Sequence, residues 1–422
     1  MRLKGKYIII FFSFFIINSS IGHGLLNWSY KSLLNETSKS DTLFVSRVSS
    51  LEAEWFCNKF LEQDIDSLIA HYANDNDKLS YLVVIKAYYF VSNKEYKVTI
   101  DYIIDLLKEE RFKENGNLYF LLGKAFASDE NYSNTYVNYK IADSIFTENK
   151  DTLGLAFLQS HYVYYYGVID DNKSLEESYL KGLLLAELLS TDAALIHLYF
   201  SYARHIANQD IKSAYELNKQ GWALACKLGS ISKIRYAISY LRFLLRYGYD
   251  SEFVSVFKEV EEGAKENCYN LKYSIAYTFY AHLMTREDKI DSAIYYNNLA
   301  LDKRKESNKT DFIGFSYLNL LSNYMIKHNK EYAKAYLDSA KLYLTNSTNF
   351  TQRHYLQYAL KYHEYFSSND SILEIYPKLI ELDKLFYQQQ QNTALSKIKA
   401  GKDLQNLLLK NQFEIQLKLN KA

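Results

Sequence analysis

One proline, Pro377, and 14 glycines are all that 422 residues offer by way of backbone breakers. Turn-rich β architecture needs both in quantity, so their scarcity, beside abundant Leu, Ile, Tyr, Lys, Asn and Glu, argues for an all-helical chain. Cysteine is just as sparse. Cys57, Cys226 and Cys268 are far apart, odd in number and form no C-x-x-C pair, which excludes a disulfide framework or zinc ribbon; an exported chain could bridge two of them, and separate buried thiols are the expectation. An excess of either charge is missing too. Fifty basic residues face 49 acidic ones, a formal net charge of +1, so no global field draws the chain to nucleic acid.

Long apolar runs are absent after the first residues. "MRLKGKYIIIFFSFFIINSSIGHG" passes from a basic start through an apolar stretch, Tyr7 to Ile17, into small and polar residues, the pattern of a signal peptide. Eleven helical residues rise about 16 Å, short of the roughly 30 Å hydrocarbon layer. The expectation is therefore cleavage after Gly22, residues 1–22 being the leader and 23–50 a linker, with an exported product that is periplasmic or extracytoplasmic. No membrane span is expected in that mature chain. Loss of Arg2, Lys4 and Lys6 with the leader moves the net charge from +1 to −2.

What the chain has is repetition. "YTFYAHLMTREDKIDSAIYYNNLA" at Tyr277 and "YLNLLSNYMIKHNKEYAKAYLDSA" at Tyr317 place bulky, small and polar residues in nearly the same order. Tyr277, Tyr280, Ala281 and Met284, like Tyr317, Leu320, Leu321 and Tyr324, follow i, i+3, i+4, i+7 and share one helical face. A polar break follows, and then small residues, Ala293 and Ala300 or Ala333 and Ala340, mark a second helix. The alanines let the first helix approach closely, since larger side chains there would overpack the contact at about 1–3 kcal/mol. With the first small position of the second helix as a marker, copies fall at Thr99, Thr135, Leu175, Ala214, Val256, Ala293 and Ala333, in steps of 36, 40, 39, 42, 37 and 40 residues. A lone hairpin cannot bury its apolar face, so such recurrence predicts hairpins stacked in a row.

"YFLLGKAF" at Tyr119–Phe126 and "AYLDSA" at Ala335–Ala340 carry a resemblance to the tetratricopeptide repeat (TPR) proteins over roughly Leu79 to Ala340. The resemblance implies a right-handed α-solenoid of helical hairpins over 51–380, seven to eight of them behind an N-terminal cap. Two departures stand out. The period is nearer 40 than the family's 34, which implies longer helices or loops, and the inter-repeat proline is missing. In this family first-helix residues offset from the packing set line an inner groove, and by that register the groove candidates are Tyr88, Asn117, Phe120, Lys124, Tyr164, Tyr199 and His282. Aromatic rings with polar tips suit contacts to a protein or peptide, which is the partner expected.

Past the repeats, Ser371 and Glu374 suggest a capping box and Pro377 a kink. Residues 381–422 read as a polar helix with Leu404, Leu408, Ile415 and Leu419 at spacings of four, seven and four. Fewer than four clean heptads leave two readings, a homodimer through a coiled coil and a solvated helix packing its leucines on the last repeat. Leader, repeat array and terminal helix together resemble the extracytoplasmic sensor half of bacterial TPR-containing signalling proteins, which continue through a membrane helix into a histidine kinase or helix-turn-helix regulator; the chain is either a complete scaffold or a fragment of such a protein.

No H-E-x-x-H, G-x-S-x-G, phosphate-cradling loop or Rossmann fingerprint occurs. His197 and His205 are eight apart, His354 and His363 nine, which is not ligand spacing on a helix. Neither metal, cofactor nor catalysis is expected.

Overall fold

The structure, a computed structural model, describes residues 62–228, 230–263, 270–307, 310–345, 348–366 and 369–419. The leader, the linker, Cys57 and Cys268 lie outside them, as do the side chains of Leu408, Ile415 and Leu419. Among the described residues there are seventeen α-helices, one 3-10 turn at Glu110–Phe112 and no strand.

The helices are α1 (Glu62–His71), α2 (Asn76–Ser92), α3 (Tyr96–Leu106), α4 (Gly116–Ser128), α5 (Tyr132–Glu148), α6 (Thr152–Val168), α7 (Asn172–Leu188), α8 (Asp192–Ile206) and α9 (Ile211–Lys227). Then come α10 (Ser230–Tyr247), α11 (Asp250–Gly263), α12 (Asn270–Arg286), α13 (Ile290–Glu306), α14 (Thr310–Ile326), α15 (Lys330–Leu344), α16 (Asn349–Tyr365) and α17 (Asn369–Leu419). α2 to α15 pair into seven hairpins, and the fold is an α-solenoid of TPR-like helical hairpins. α6, α7, α12, α13 and α14 are each 17 residues long, and three-residue connections join α6 to α7, α7 to α8 and α12 to α13. Long helices, not long loops, lengthen the period to about 40.

Six of the seven hairpin turns share one backbone device. The first helix is followed by a residue with positive φ, at Lys94, Glu130, Asp170, Gly248, Asp288 and His328, and the next amide reaches back five positions, as from Glu95 to the Phe90 carbonyl at 3.0 Å and from Asn329 to that of Tyr324 at 3.0 Å. This bond satisfies a carbonyl the helix end leaves orphaned. In three of these turns an Asp or Asn caps the following helix, Asn131 accepting from the Asn134 amide, Asp171 from Ser174 and Asn329 from Tyr332, the favoured chemistry for that position, whereas Glu95 and Lys289 make no such bond.

The marker residues are buried in the first turn of the second helices. Amides of Thr99, Thr135, Leu175, Ala214, Ala293 and Ala333 each bond the carbonyl four residues back, at Glu95, Asn131, Asp171, Asp210, Lys289 and Asn329. Val256 does not belong to the series. Phe253, whose amide bonds Tyr249, holds the equivalent place, and the steps tighten to 36, 40, 39, 39, 40 and 40. Sequence alone slipped because Val256 is buried on the same face one turn later.

Close approach is visible at Gly123, where an added Cβ would stand 2.5 Å from Tyr139 Cδ1 and 3.2 Å from the Thr135 carbonyl oxygen. Within a hairpin, first and second helices pack along their length, and first helices of successive hairpins touch, as α6 with α8 and α10 with α12. This is nearest-neighbour burial.

The chain divides into two compact units. The N-terminal unit holds α1–α9 with α17 from Asn392 onward, and the C-terminal unit holds α10–α16 with α17 up to Gln391. A continuous core fills the N-terminal unit from Ile65 to Leu198 and takes in Ala400 and Leu404 of α17. Leu404 therefore packs among α1–α8, not on the last repeat. In the C-terminal unit, Leu318, Leu337, Leu344, Tyr355 and Tyr362 form the core where α14, α15 and α16 meet. α17 begins at Asn369, two residues ahead of the expected capping box, and contains Pro377. Among the described residues no helix is long and apolar enough to cross a membrane.

Candidate functional site

Six of the seven groove candidates stand on first helices of the N-terminal unit: Tyr88 on α2, Asn117, Phe120 and Lys124 on α4, Tyr164 on α6 and Tyr199 on α8. Register aligns some of them. Tyr88, Tyr164 and Arg204 each lie 13 residues past the N-caps Asp75, Asp151 and Thr191, so the first, third and fourth hairpins present them at equivalent places.

Lys124 is the centre of interest. It is only 6% exposed and its Nζ has no hydrogen-bond partner. The ammonium lies 5.3 Å from the centroid of the Tyr88 ring, a cation–π contact that replaces part of the lost hydration. Burial holds its pKa down, at about 7. A lysine here is a soft charge that a neighbour can restore or abolish.

His161 lies beside it, and other buried polar atoms stand elsewhere on the first helices. His161 of α6 packs edge-on to Phe120 at 4.7 Å and to Tyr139 at 6.1 Å. Burial first, then the nearby charges of Lys124 and His197, drives its pKa well below the usual imidazole value, so it is neutral at physiological pH. Arg204 is held below its ordinary value by burial, and its Nη1 has no partner. Tyr164 sits close enough to interact with Arg204 and Glu130, and burial raises its hydroxyl. Asn117 is half-buried with an unpartnered Oδ1.

Two candidates do not line an open surface. Tyr88 and Phe120 are core residues, each about 1% exposed; Phe120 stacks on Tyr139 at 5.9 Å. Tyr199 stands apart from Lys124, interacting with Glu187 and Tyr179 of α7. Sequence reasoning missed His161, His197 and Arg204. The available signal was the 13-residue offset from the caps, which equates Arg204 with Tyr164.

The rim of this face carries the chain's own α17. Thr393 Oγ1 bonds Glu130 Oε2, Ser396 Oγ donates to the Glu130 carbonyl at 2.6 Å, and Ser133 Oγ donates to Asp403 Oδ2 at 2.9 Å. All three contacts fall on the turn between α4 and α5 or the start of α5.

His282 belongs to the C-terminal unit and to a different network. Arg304 of α13, 2% exposed, donates to Thr278 Oγ1 at 2.8 Å, Ser316 Oγ at 2.6 Å, the Phe312 carbonyl at 3.1 Å and Ser274 Oγ at 3.3 Å. Burial lowers this guanidinium to about 9. Burial, then the Arg304 charge, brings His282 down to about 4 despite a hydrogen bond with Asn319. Asn297 Nδ2 continues the seam to Asn323 Oδ1 at 2.7 Å. Its hydrogen bonds join α12, α13 and α14.

Among the described residues, no group of three or more His, Cys, Asp or Glu is placed to hold a metal ion. No protein-family model and no curated protein matches the sequence. The fold is similar to the signal transduction ATPase with numerous domains (STAND) protein with a tetratricopeptide repeat sensor from Pyrococcus horikoshii, at a TM-score of 0.54 and 13% identity over 79% of this chain. The match spans 53% of that structure, and it concerns the fold alone.

Proposed function

We propose that the chain is an exported, non-catalytic repeat scaffold that binds a polypeptide segment in the groove of its first helices, a carboxylate of the partner meeting Lys124 and Arg204. One observation carries this reading: Lys124 Nζ and Asn117 Oδ1 on α4 and Arg204 Nη1 on α8 are buried without a hydrogen-bond partner. Leaving such atoms unpaired costs about 1–3 kcal/mol each, more for charged groups, and a partner supplying an acid and an amide would recover it. A carboxylate beside Lys124 would also raise the amine back towards its ordinary value, so binding takes up a proton and strengthens as pH falls through about 7.

The test is a random-peptide display library panned on the purified chain. Enrichment of Asp- and Glu-bearing sequences is expected. It should vanish when Lys124→Met and Tyr164→Ala are combined, with no loss of melting temperature. Binding that survives both substitutions, or selection of basic peptides, refutes the groove. Export rests on the basic start and the apolar stretch from Tyr7 to Ile17; a reporter fused after Gly22 should be recovered from the envelope and not from the cytosol.

A second reading, a sensor portion of a membrane signal-transduction protein, is favoured by the tetratricopeptide repeat sensor of the structural neighbour. The mass of the protein isolated from its native cell separates the two. A species well above 49.5 kDa supports the sensor.

A further inference from the structure

From Asn392 onward α17 belongs to the N-terminal unit and touches it along a narrow seam. Thr393, Ser396, Ala400, Asp403 and Leu404 fall on one side of the helix, at spacings of three, four, three and one. Ala400 and Leu404 join the unit's core. Thr393 and Ser396 bond Glu130 in the α4–α5 turn, and Asp403 accepts from Ser133 of α5 at 2.9 Å. Beside this seam lie two stacked rings, Tyr136 of α5 and Tyr165 of α6, 5.8 Å apart. The fit is incomplete. The Tyr165 hydroxyl is buried without a hydrogen-bond partner; Asp403 is near enough for its charge to act on that phenol, yet it bonds Ser133 instead. An unpaired buried hydroxyl is a net loss. Gly401, between the two apolar anchors, has open space where a Cβ would stand, so no close contact requires a glycine there and its cost to the helix goes uncompensated. Leu407, one turn further along the same side, is left 39% exposed.

We propose that this ledge is a docking surface for a helix of a partner protein, that α17 occupies it in cis as a replaceable stand-in, and that the partner's helix bears a small residue, a glutamate three positions on and a leucine four on. The small residue and the leucine repeat what Ala400 and Leu404 do. A glutamate at the place of Asp403 carries its carboxylate one methylene further, so that one oxygen keeps Ser133 while the other accepts from the Tyr165 hydroxyl. A second copy's α17 would bring the same aspartate and the same glycine, and would gain nothing over the helix already there. Neither Lys124 nor Arg204 takes part, so this surface stands apart from the groove.

The probe is a dye-labelled synthetic peptide of residues 392–410 carrying Gly401→Ala and Asp403→Glu, titrated into the full chain and followed by fluorescence anisotropy. It should bind the Leu404→Ser chain, whose own helix holds the ledge less well, about tenfold or more tighter than the parent chain. Thr393→Ala with Ser396→Ala, which removes only hydrogen bonds, should tighten binding in the same sense. Binding should be lost when Ser133→Cys and Asp403→Cys, in a background with Cys57, Cys226 and Cys268 replaced by serine, are joined by a thiol cross-linker. The same peptide with Asp403 kept should bind more weakly, and Tyr165→Phe in the chain should erase the difference between the two peptides. No gain in either weakened chain, binding that survives the cross-link, or no preference for glutamate overturns the proposal. So does a Leu404→Ser chain that light scattering finds at twice the parent's mass, which would put a second copy on the ledge.

Discussion

Replacing Lys124 with methionine removes a buried amine while keeping an unbranched side chain of similar length. The unfolded amine titrates at 10.5 and the folded one at about 7, a gap equivalent to about 5 kcal/mol. Between those values the unfolded chain holds a proton that the native chain has released, so stability rises with pH by up to about 1.4 kcal/mol per pH unit. The penalty is therefore fully present below pH 7, shrinks through the window and is gone above 10.5. Methionine abolishes it and also forfeits the contact with Tyr88, worth about 1 kcal/mol. The net expectation is a variant more stable by about 3–4 kcal/mol at pH 6, on the order of 10 °C in melting temperature, with the advantage fading towards pH 10. Calorimetry of both proteins across pH 6–10 reads the difference directly, because every other titrating group is shared. A variant that melts lower than the parent at pH 6, or a difference independent of pH, would refute the reasoning, since either requires an ammonium that the fold satisfies.

Histidine gives the opposite window. His354, 8% exposed, is held at about 4 by burial and the charge of Arg353, so the unfolded chain binds the proton first as pH falls from 6.5; about 3 kcal/mol of stability should be lost on reaching pH 4, and His354→Gln should flatten that slope in denaturant titrations. Gly123→Ala drives a Cβ into the Tyr139 ring, itself pinned by Phe120 and Tyr162, and should cost about 1–3 kcal/mol by urea denaturation in spite of alanine's better helix propensity.

The hairpin repeat was legible because its signals are local and recur. Ala293, Ala300, Ala333 and Ala340 are small where helices touch, and all four are fully buried. The turns were less so. Lys94, Glu130 and His328 adopt positive φ although none of these residue types advertises it; the geometry is imposed by the Schellman bond that the following amide makes. Groove positions were harder still. Periodicity marks a face only when the opposite face is wet, yet α6 is buried at every position from Ala156 to Val163, with neighbours on several sides. Tyr88, Phe120 and Lys124 thus all read as groove residues, yet Tyr88 and Phe120 are core and Lys124 is itself buried. α17 shows the same limit: its leucines could pack inward or outward, and only the positions of Leu404 and Leu409 separate the two faces.

If burial passes from each hairpin to the next, one whole period is dispensable. Deleting 293–332 joins Ser292 to Ala333, an equivalent position one 40-residue step on; it removes Arg304 with its seam, and Thr278 and Ser274 keep their bonds to the Ser274 and Leu271 carbonyls. Circular dichroism and a thermal melt of this shortened chain should show the parent's helicity per residue and one cooperative transition at a moderately lower temperature. Loss of helicity, or a melt without cooperativity, would mean that the hairpins depend on contacts beyond their neighbours and would contradict the stacked-repeat account.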